Sequence, residues 1–329
     1  MPKHSCLAIK AILKRVAFFL AFSLFITGCA SEDTPPYAYI TNQLSDDISV
    51  IDTSTQHVIK TISIGNRPVG IALSKKGNRA FISNSEGQDI TILNTNTMQV
   101  ITHIPVASGP VGIASNDDGS LIYVADWFQH KISVVNSKKT KIISTIPVGN
   151  SPAGMIVDDK NNRLYVANRD DNNVMIIDTD SQHILHTIPV GTAPFGLALS
   201  PDGDTLYSVN VRSSDVSVID TQLAQVTSTI NVGEWPYCAI VSPDGTHLYV
   251  TNQDDSTISI IDTINPSIIN TVDVGDSPEG IDITPDGKFV YVANWGDGSI
   301  SVINTDNYQV EKVIKTGKGS RAFGLFITK

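Results

Sequence analysis

The sequence predicts an all-β protein that folds as one seven-bladed β-propeller with four-stranded antiparallel blades. Three observations support this prediction: a repeat that recurs seven times at constant spacing, four strand-like segments in each repeat, and a chain that starts and stops within one repeat. Repeats of about 40 to 45 residues that each contain four strands are typical of propeller blades, whereas leucine-rich, ankyrin and β-helix repeats are shorter or helical.

The repeat is marked by an Asn or Asp that closes an apolar strand. The step from Asn42 to Asn84, which is 42 residues, recurs without insertion, and a second series that starts at Asp52 and Asn94 keeps the same step. Because every copy needs the same turn at this point, we interpret the first series as structural residues that hydrogen-bond their own backbone. The residues of this series are Asn42, Asn84, Asp126, Asn168, Asn210, Asn252 and Asn294.

One repeat contains four segments rich in β-branched residues, which favour strands: Gly196–Leu199, Thr205–Val209, Val216–Ile219 and Val226–Val232. The first two are joined by Ser-Pro-Asp-Gly at 200–203, a sequence typical of a tight hairpin. Apolar residues occur on both faces of the predicted strands, which fits sheets packed between neighbouring sheets around an axis.

The two ends of the repeat region indicate how the ring closes. The first repeat begins at its second strand, Ala38–Thr41, and the last ends on a lone first strand, Phe323–Thr328. We therefore expect the C-terminal strand to complete the N-terminal blade, since this pairs two sheet edges that would otherwise be exposed. The propeller is predicted to span residues 37–329.

Several motifs resemble a known family of repeats. Tyr249-Val250-Thr251-Asn252 spells the motif that names the YVTN family, and the Ser-Pro-Asp-Gly turns, Ser217–Thr221 and Thr187–Gly191 also resemble its consensus. The resemblance covers about residues 37–329 and implies the propeller fold. It leaves function open, because similar propellers serve as surface proteins, periplasmic binding proteins and scaffolds for lactonases and redox enzymes.

The N-terminus has the pattern of a secretory signal. Basic residues up to Arg15 precede the apolar run Val16–Gly28, whose 13 residues fall short of the roughly 20 that span a bilayer. Ile26-Thr27-Gly28-Cys29 resembles the bacterial lipobox, so we predict a signal peptide over 1–28, a lipid on Cys29 and a linker over 29–36. Ala30 resembles the outer-membrane sorting pattern, which predicts an exported protein anchored there on the periplasmic or cell-surface side.

The cysteine and charge content argue against disulfide bonds and against nucleic acid binding. Since Cys6 leaves with the signal peptide and Cys29 carries lipid, Cys238 has no disulfide partner and is expected to be buried and inert. The full chain has 23 basic and 33 acidic residues, and the part after residue 28 keeps 19 of the basic residues and all of the acidic ones. We expect no nucleic acid partner, because such binding needs a basic stripe.

The candidate ligand site lies at the top of the propeller, defined as the end where the first strand of each blade starts and the second strand turns into the third. All three Trp residues map there, and bulky side chains precede the second glycine of the Gly-x-x-Pro-x-Gly loop in four contiguous blades. Aromatic residues and Arg are enriched at recognition sites, although such rings also plug an axis or pack between blades. The predicted ligand-binding residues are Trp127, Phe195, Arg212, Trp235, Tyr237, Glu279, Trp295, Arg321 and Phe323.

No convergent set of His and carboxylate residues can be assembled at the axis, so no catalytic residue, metal ligand or cofactor is predicted. Our main hypothesis is a monomeric, membrane-tethered binding or scaffold protein of the cell envelope that recognises an envelope protein or a small ligand. The alternatives are a propeller enzyme, such as a lactone hydrolase or lyase, and a partner of a periplasmic redox protein.

Overall fold

The structure is a computed structural model that describes residues 35–106 and 108–329. The predicted signal peptide over 1–28, Cys29 and most of the predicted linker lie outside the described residues. Across the two described ranges, no helix has the length and apolar character that crossing a bilayer requires.

The described residues form seven antiparallel sheets arranged as the blades of a propeller, which confirms the predicted fold class. The only helical element among them is a 3₁₀ turn at Arg169–Asp171. Blade 1 contains strands β1 to β3, and blades 2 to 7 contain four strands each in chain order. The innermost strand of each of these six blades starts at the loop proline, so the axis is lined by strands that all begin at the top.

The innermost strands are β4 (Pro68–Leu73), β8 (Pro110–Ser115), β12 (Pro152–Asp158), β16 (Pro194–Leu199), β20 (Pro236–Val241) and β24 (Pro278–Ile283). The second strands are β1 (Tyr37–Asn42), β5 (Arg79–Asn84), β9 (Leu121–Asp126), β13 (Arg163–Asn168), β17 (Thr205–Asn210), β21 (His247–Asn252) and β25 (Phe289–Asn294). The third strands are β2 (Asp47–Asp52), β6 (Asp89–Asn94), β10 (Lys131–Asn136), β14 (Asn173–Asp178), β18 (Asp215–Asp220), β22 (Thr257–Asp262) and β26 (Ser299–Asn304). The outermost strands are β3 (His57–Ser63), β7 (Gln99–Pro105), β11 (Lys141–Pro147), β15 (Ile184–Pro189), β19 (Gln225–Asn231), β23 (Ser267–Asp273) and β27 (Gln309–Lys315).

The core lies between the blades, because the second and third strands bury side chains on both faces. An aromatic residue recurs at one position of the second strand in every blade. Each of these rings packs against a neighbouring sheet, and burial of one such side chain contributes roughly 1.5 to 3 kcal/mol. The recurring aromatic residues are Tyr39, Phe81, Tyr123, Tyr165, Tyr207, Tyr249 and Tyr291.

The close approach of the innermost strands explains why the Gly-x-x-Pro-x-Gly loop ends in a glycine. A Cβ atom added at Gly196 would lie 2.5 Å from the carbonyl oxygen of Tyr237 in the next blade, which is closer than a side chain tolerates. Hydroxyl groups also join neighbouring blades: the Ser83 Oγ accepts the Gly70 N–H at 2.9 Å and donates to the Val111 carbonyl at 2.7 Å. The blades are therefore held at a short, defined spacing around the axis.

The C-terminal segment closes the ring on blade 1, as expected from the sequence. The Tyr39 N–H donates to the Phe326 carbonyl and the Thr328 N–H to the Tyr37 carbonyl, both at 2.9 Å. The pairing is made of isolated bridges and not of a continuous strand, because the Phe323 carbonyl accepts the Ile71 N–H of blade 2 at 2.8 Å. This departure coincides with two extra residues in the loop before Gly324.

Candidate functional site

Three of the predicted ligand-binding residues form a packed aromatic cluster on the axis. The ring centre of Phe195 lies 4.3 Å from that of Tyr237 and 4.8 Å from that of Phe323, and all three side chains are buried. Val69 and Ala153 pack into the same cluster from other blades. We call these five residues the axial plug. These rings fill the mouth of the channel, which is the alternative that the sequence left open.

A buried ion pair lies beside the axial plug. The Arg321 Nε is 2.8 Å from the Glu279 Oε2, although the two atoms are not aligned as a hydrogen bond. The Gln253 side-chain amide donates to the Glu279 Oε1 at 2.9 Å, and the Arg321 guanidinium donates to the Tyr237 hydroxyl. Burial raises the pKa of Glu279, and the Arg321 charge opposes this shift. Both charges are therefore engaged inside the protein, and Glu279 is only 4% exposed.

Trp295 is attached to this ion pair through one glutamine. Its indole N–H donates to the Gln43 Oε1 at 3.0 Å, and the same oxygen accepts from the Arg321 guanidinium at 3.3 Å. Because the indole is half-buried and its N–H is already bonded, Trp295 lies at the edge of the packed region and not on a free surface.

Cys238 occupies the repeat position of the loop glycine in blade 6, and it is buried as expected. Burial raises the pKa of its thiol. A cysteine that stays protonated is a poor nucleophile, so the surroundings of Cys238 do not favour thiolate chemistry.

Aromatic and cationic side chains form part of the top surface on blades 3 to 6. The Arg169 guanidinium lies 5.8 Å from the centre of the half-buried Trp127 ring and pairs with Asp170 at 2.7 Å. A hydrogen bond from Ser151 lowers the pKa of Asp170, and the charges of Arg169 and Arg212 lower it further. These interactions favour the charged form of Asp170, which lies beside Arg169.

Trp235 extends this set of side chains onto blade 6. The Val232 N–H donates to the Ser214 carbonyl at 3.1 Å, so the loop that carries Trp235 lies against the turn that carries the exposed Arg212. Trp235 is 40% exposed, and its φ of +54° is in the left-handed region, which is uncommon for a bulky side chain. We call Trp127, Arg169, Arg212 and Trp235 the rim strip.

Arg169 was missed by the sequence reasoning, although a signal for it was present. It directly follows a repeat Asn, and the residues at this repeat position surround the mouth of the channel. The sequence analysis predicts Trp127 and Trp295 from this position because they are aromatic. It does not predict Arg169, nor Gln43 and Gln253, whose side chains form hydrogen bonds here. The residues at this position are Gln43, Ser85, Trp127, Arg169, Val211, Gln253 and Trp295.

The seven repeat Asn and Asp residues are fully buried. The Asn84 amide donates across the turn to the Asp89 Oδ1 at 2.6 Å and to the Thr91 Oγ1 at 2.8 Å. This corrects the expected bond to the residue's own backbone, although Asp126 does accept the Phe128 N–H at 3.2 Å. Within residues 35–106 and 108–329, no group of three or more His, Cys, Asp or Glu is placed to hold a metal ion.

Comparisons with families of known sequence agree with this fold. A sequence model of the family described as YNCE-like beta-propeller matches residues 45–163, and a model of the family described as Lactonase, 7-bladed beta-propeller, matches residues 220–322. Each match covers less than half of the chain, and no curated protein matches it. The resemblance to the YVTN repeats stays a prediction.

Solved structures with this fold include proteins of different function. Hydrazine synthase of Kuenenia stuttgartiensis is 24% identical, with a TM-score of 0.67 over 73% of this chain and 77% of that chain. A functionally unknown protein from Desulfotomaculum acetoxidans DSM 771 is 16% identical, with a TM-score of 0.78 over 87% and 97%. Dihydro-heme d1 dehydrogenase NirN, in complex with DHE, is 13% identical, with a TM-score of 0.67 over 86% and 73%. At these identities the likeness shows the β-propeller fold.

Proposed function

We propose that this chain is an exported, lipid-anchored binding protein of the cell envelope that holds a partner protein on the rim strip. The observation that carries the proposal is Trp235, a large apolar side chain that is exposed and held at a positive φ. Equivalent loop positions carry Ser151, Ala193 and Ser277 in the same left-handed conformation, so the fold does not need an indole there.

The composition of the rim strip fits a protein surface better than a small ligand. Trp and Arg are enriched among the residues that dominate protein–protein binding energy. A small ligand needs a concave pocket, and the axial plug fills the mouth of the channel at this end. Among the predicted residues, Phe195 packs beneath the strip, since its ring centre is 6.2 Å from that of Trp127, and Tyr237 and Phe323 pack against Phe195. Glu279, Arg321 and Trp295 lie beside these rings, toward blades 7 and 1.

The proposed partner is an envelope protein and not a nucleic acid, since the part of the chain after residue 28 carries 19 basic against 33 acidic residues. The chain enters the propeller at Tyr37, which is at the bottom end of β1 because Asn42 ends that strand at the top. One copy of the chain presents the complete strip, and we propose that it acts as a monomer.

Photo-crosslinking in cells tests the proposal. A photoreactive phenylalanine derivative placed at Arg212 is expected to yield one discrete adduct, whereas the same group at Val313, which is 56% exposed on the outermost strand β27, is not. Trp235→Ala is expected to weaken the captured complex roughly 30-fold, the effect of about 2 kcal/mol at a binding hot spot.

Arg67→Ala is the matched control for Trp235→Ala, because Arg67 is half-buried at the same loop position of blade 2 with φ +55°. It is expected to leave the affinity unchanged, and both variants are expected to unfold as the wild type does. Tyr237→Ala, by contrast, removes a ring from the axial plug and is expected to lower stability by roughly 3 kcal/mol or more. Equal adducts at Arg212 and Val313, or an unchanged affinity in Trp235→Ala, would contradict the proposal.

A lactone hydrolase is the second candidate function. The match to the lactonase family over residues 220–322 favours it, and that range contains Tyr237, Glu279 and Arg321. Hydrolysis of a panel of lactones by the purified protein, abolished by Glu279→Gln, would support this candidate. The buried ion pair favours a structural role for Glu279 and Arg321, since these two side chains already pair with each other.

A further inference from the structure

Below the axial plug, the channel contains a cavity of about 180 Å³. It lies at the opposite end of the axis from the rim strip, so it is a separate feature of the molecule. The innermost strands of blades 2 to 7 and the C-terminal segment together form its walls. The aliphatic side chains that line it include Ile71, Ile113, Met155, Leu197 and Ile281.

The cavity is closed at its upper end and open at the bottom. Phe323 of the axial plug and Cys238 lie at the closed end, and both are buried. At the other end, Val157 and Leu199 are half-buried and Leu325 is 48% exposed, although all three are apolar. A ligand would therefore enter from the bottom and meet a mainly apolar surface.

The charges at the mouth neutralise each other. Lys75 and Asp117 are the charged residues of the lining, and the Lys75 Nζ lies 2.7 Å from the Asp117 Oδ1. No described residue of the wall is placed to pair with a charged group inside the cavity, and burial of an unpaired charge is strongly unfavourable. An aliphatic cavity of roughly 150 Å³ in another protein stays dry and takes up benzene, which sets the scale of molecule that such a space accepts.

We propose that this cavity binds a small, uncharged apolar molecule of one or two rings or of comparable hydrocarbon size. Above the paired charges of the mouth, the wall is mainly apolar, so an uncharged apolar molecule fits it better than a charged one. This site goes beyond the proposed docking of a protein on the rim strip and does not depend on it.

Methionine methyl NMR tests the proposal with naphthalene as the probe. The Met155 methyl group reports from the cavity wall, whereas Met98, beside the outermost strand of blade 2, is an internal reference in the same sample. Naphthalene is expected to shift the Met155 signal saturably and to leave the Met98 signal in place. No saturable shift of the Met155 signal would overturn the proposal.

Two further arms test the position and the chemistry of the site. Val157→Trp fills the cavity from its wall and is expected to weaken naphthalene binding at least tenfold, whereas Val313→Trp on the outer surface is expected to leave it unchanged. The charged probe 2-naphthalenesulfonate is expected to bind at least tenfold more weakly than naphthalene to the wild type. Equal binding of both probes, or full binding in a folded Val157→Trp protein, contradicts the proposal.

If Val157→Trp does not fold, the titration of the wild-type Met155 signal with naphthalene still tests the proposal. Trp235→Ala separates this site from the proposed function, since it is expected to weaken the partner complex and to bind naphthalene as the wild type does. If partner binding is lost and naphthalene binding is normal, the cavity proposal stands. If naphthalene does not bind and the partner complex forms, the rim strip proposal stands.

Discussion

Asp282 lies on the innermost strand of blade 7, at the position where blades 2, 3 and 5 carry alanine. Its carboxylate is 5% exposed and accepts the backbone N–H groups of Phe326 at 2.7 Å and Ile327 at 2.8 Å. Burial raises its pKa to about 6, against the lowering effect of these hydrogen bonds. One carboxylate of blade 7 thus holds the segment that completes blade 1, and no described residue gives it a charged partner within hydrogen-bond distance.

Asp282→Asn tests this arrangement through its pH dependence. Because the folded state holds the Asp282 proton more tightly than the unfolded state does, the contribution of this group to stability is fully present below pH 4 and is lost as the pH rises through 6. The wild type is expected to lose about 3 kcal/mol relative to Asp282→Asn over this interval, since one pKa unit corresponds to about 1.4 kcal/mol.

Denaturant unfolding of both proteins at several pH values measures this difference. Asp306→Asn, at an exposed turn residue, is the control and is expected to follow the pH dependence of the wild type. A constant difference between the wild type and Asp282→Asn from pH 4 to pH 7 would show that the carboxyl group does not titrate as its burial requires.

At the scale of elements, the regular strands follow the repeat closely and the closing segment does not. The predicted strands Thr205–Val209 and Val216–Ile219 correspond to β17 at Thr205–Asn210 and β18 at Asp215–Asp220. The predicted lone strand Phe323–Thr328 instead forms isolated bridges to two blades. The local sequence pattern is enough to predict a strand that pairs with two other strands of its own repeat. The conformation of the closing segment depends on contacts with residues at the opposite end of the chain.

Deletion of 323–329 is expected to abolish cooperative unfolding or to lower stability by several kcal/mol. It removes the fully buried Phe326, the backbone bonds to blade 1 and two donors to Asp282, so that a charged carboxylate is left without these partners. Thermal unfolding followed by circular dichroism measures this loss of stability.

The control for this truncation is a deletion of 30–34. The Thr53 hydroxyl donates to the Pro36 carbonyl at 2.7 Å, so a deletion that stops before Pro35 leaves this bond in place. It is expected to unfold at the wild-type temperature. If the truncation at 323 also unfolds there, the C-terminal segment does not close the ring.

At the scale of the whole molecule, the two ends of the axis differ in character. The top is filled by aromatic rings and edged by the rim strip, whereas the bottom opens into an aliphatic cavity. Partner binding and small-molecule binding are therefore proposed for opposite ends of one scaffold.

The proposed lipid anchor is tested by Cys29→Ser. The serine hydroxyl cannot form the thioether to the diacylglycerol group, so incorporation of a fatty-acid probe is expected to be abolished and the uncleaved precursor to accumulate. The wild type, and a Cys238→Ser variant as the matched cysteine control, are expected to be labelled and processed. Normal labelling of Cys29→Ser would exclude lipidation at this residue.

The sequence by itself determined the number of blades, the strands of each blade and the end of the molecule where the loop residues gather. These features depend on a repeat of constant length and on local strand and turn preferences, both of which can be read along the chain. Tertiary structure alone decided which of the gathered residues are exposed: Phe195, Tyr237 and Phe323 meet on the axis, while Trp235 stays at the rim. Residues of different blades converge there because the ring closes, and the space left between their side chains depends on all seven blades at once.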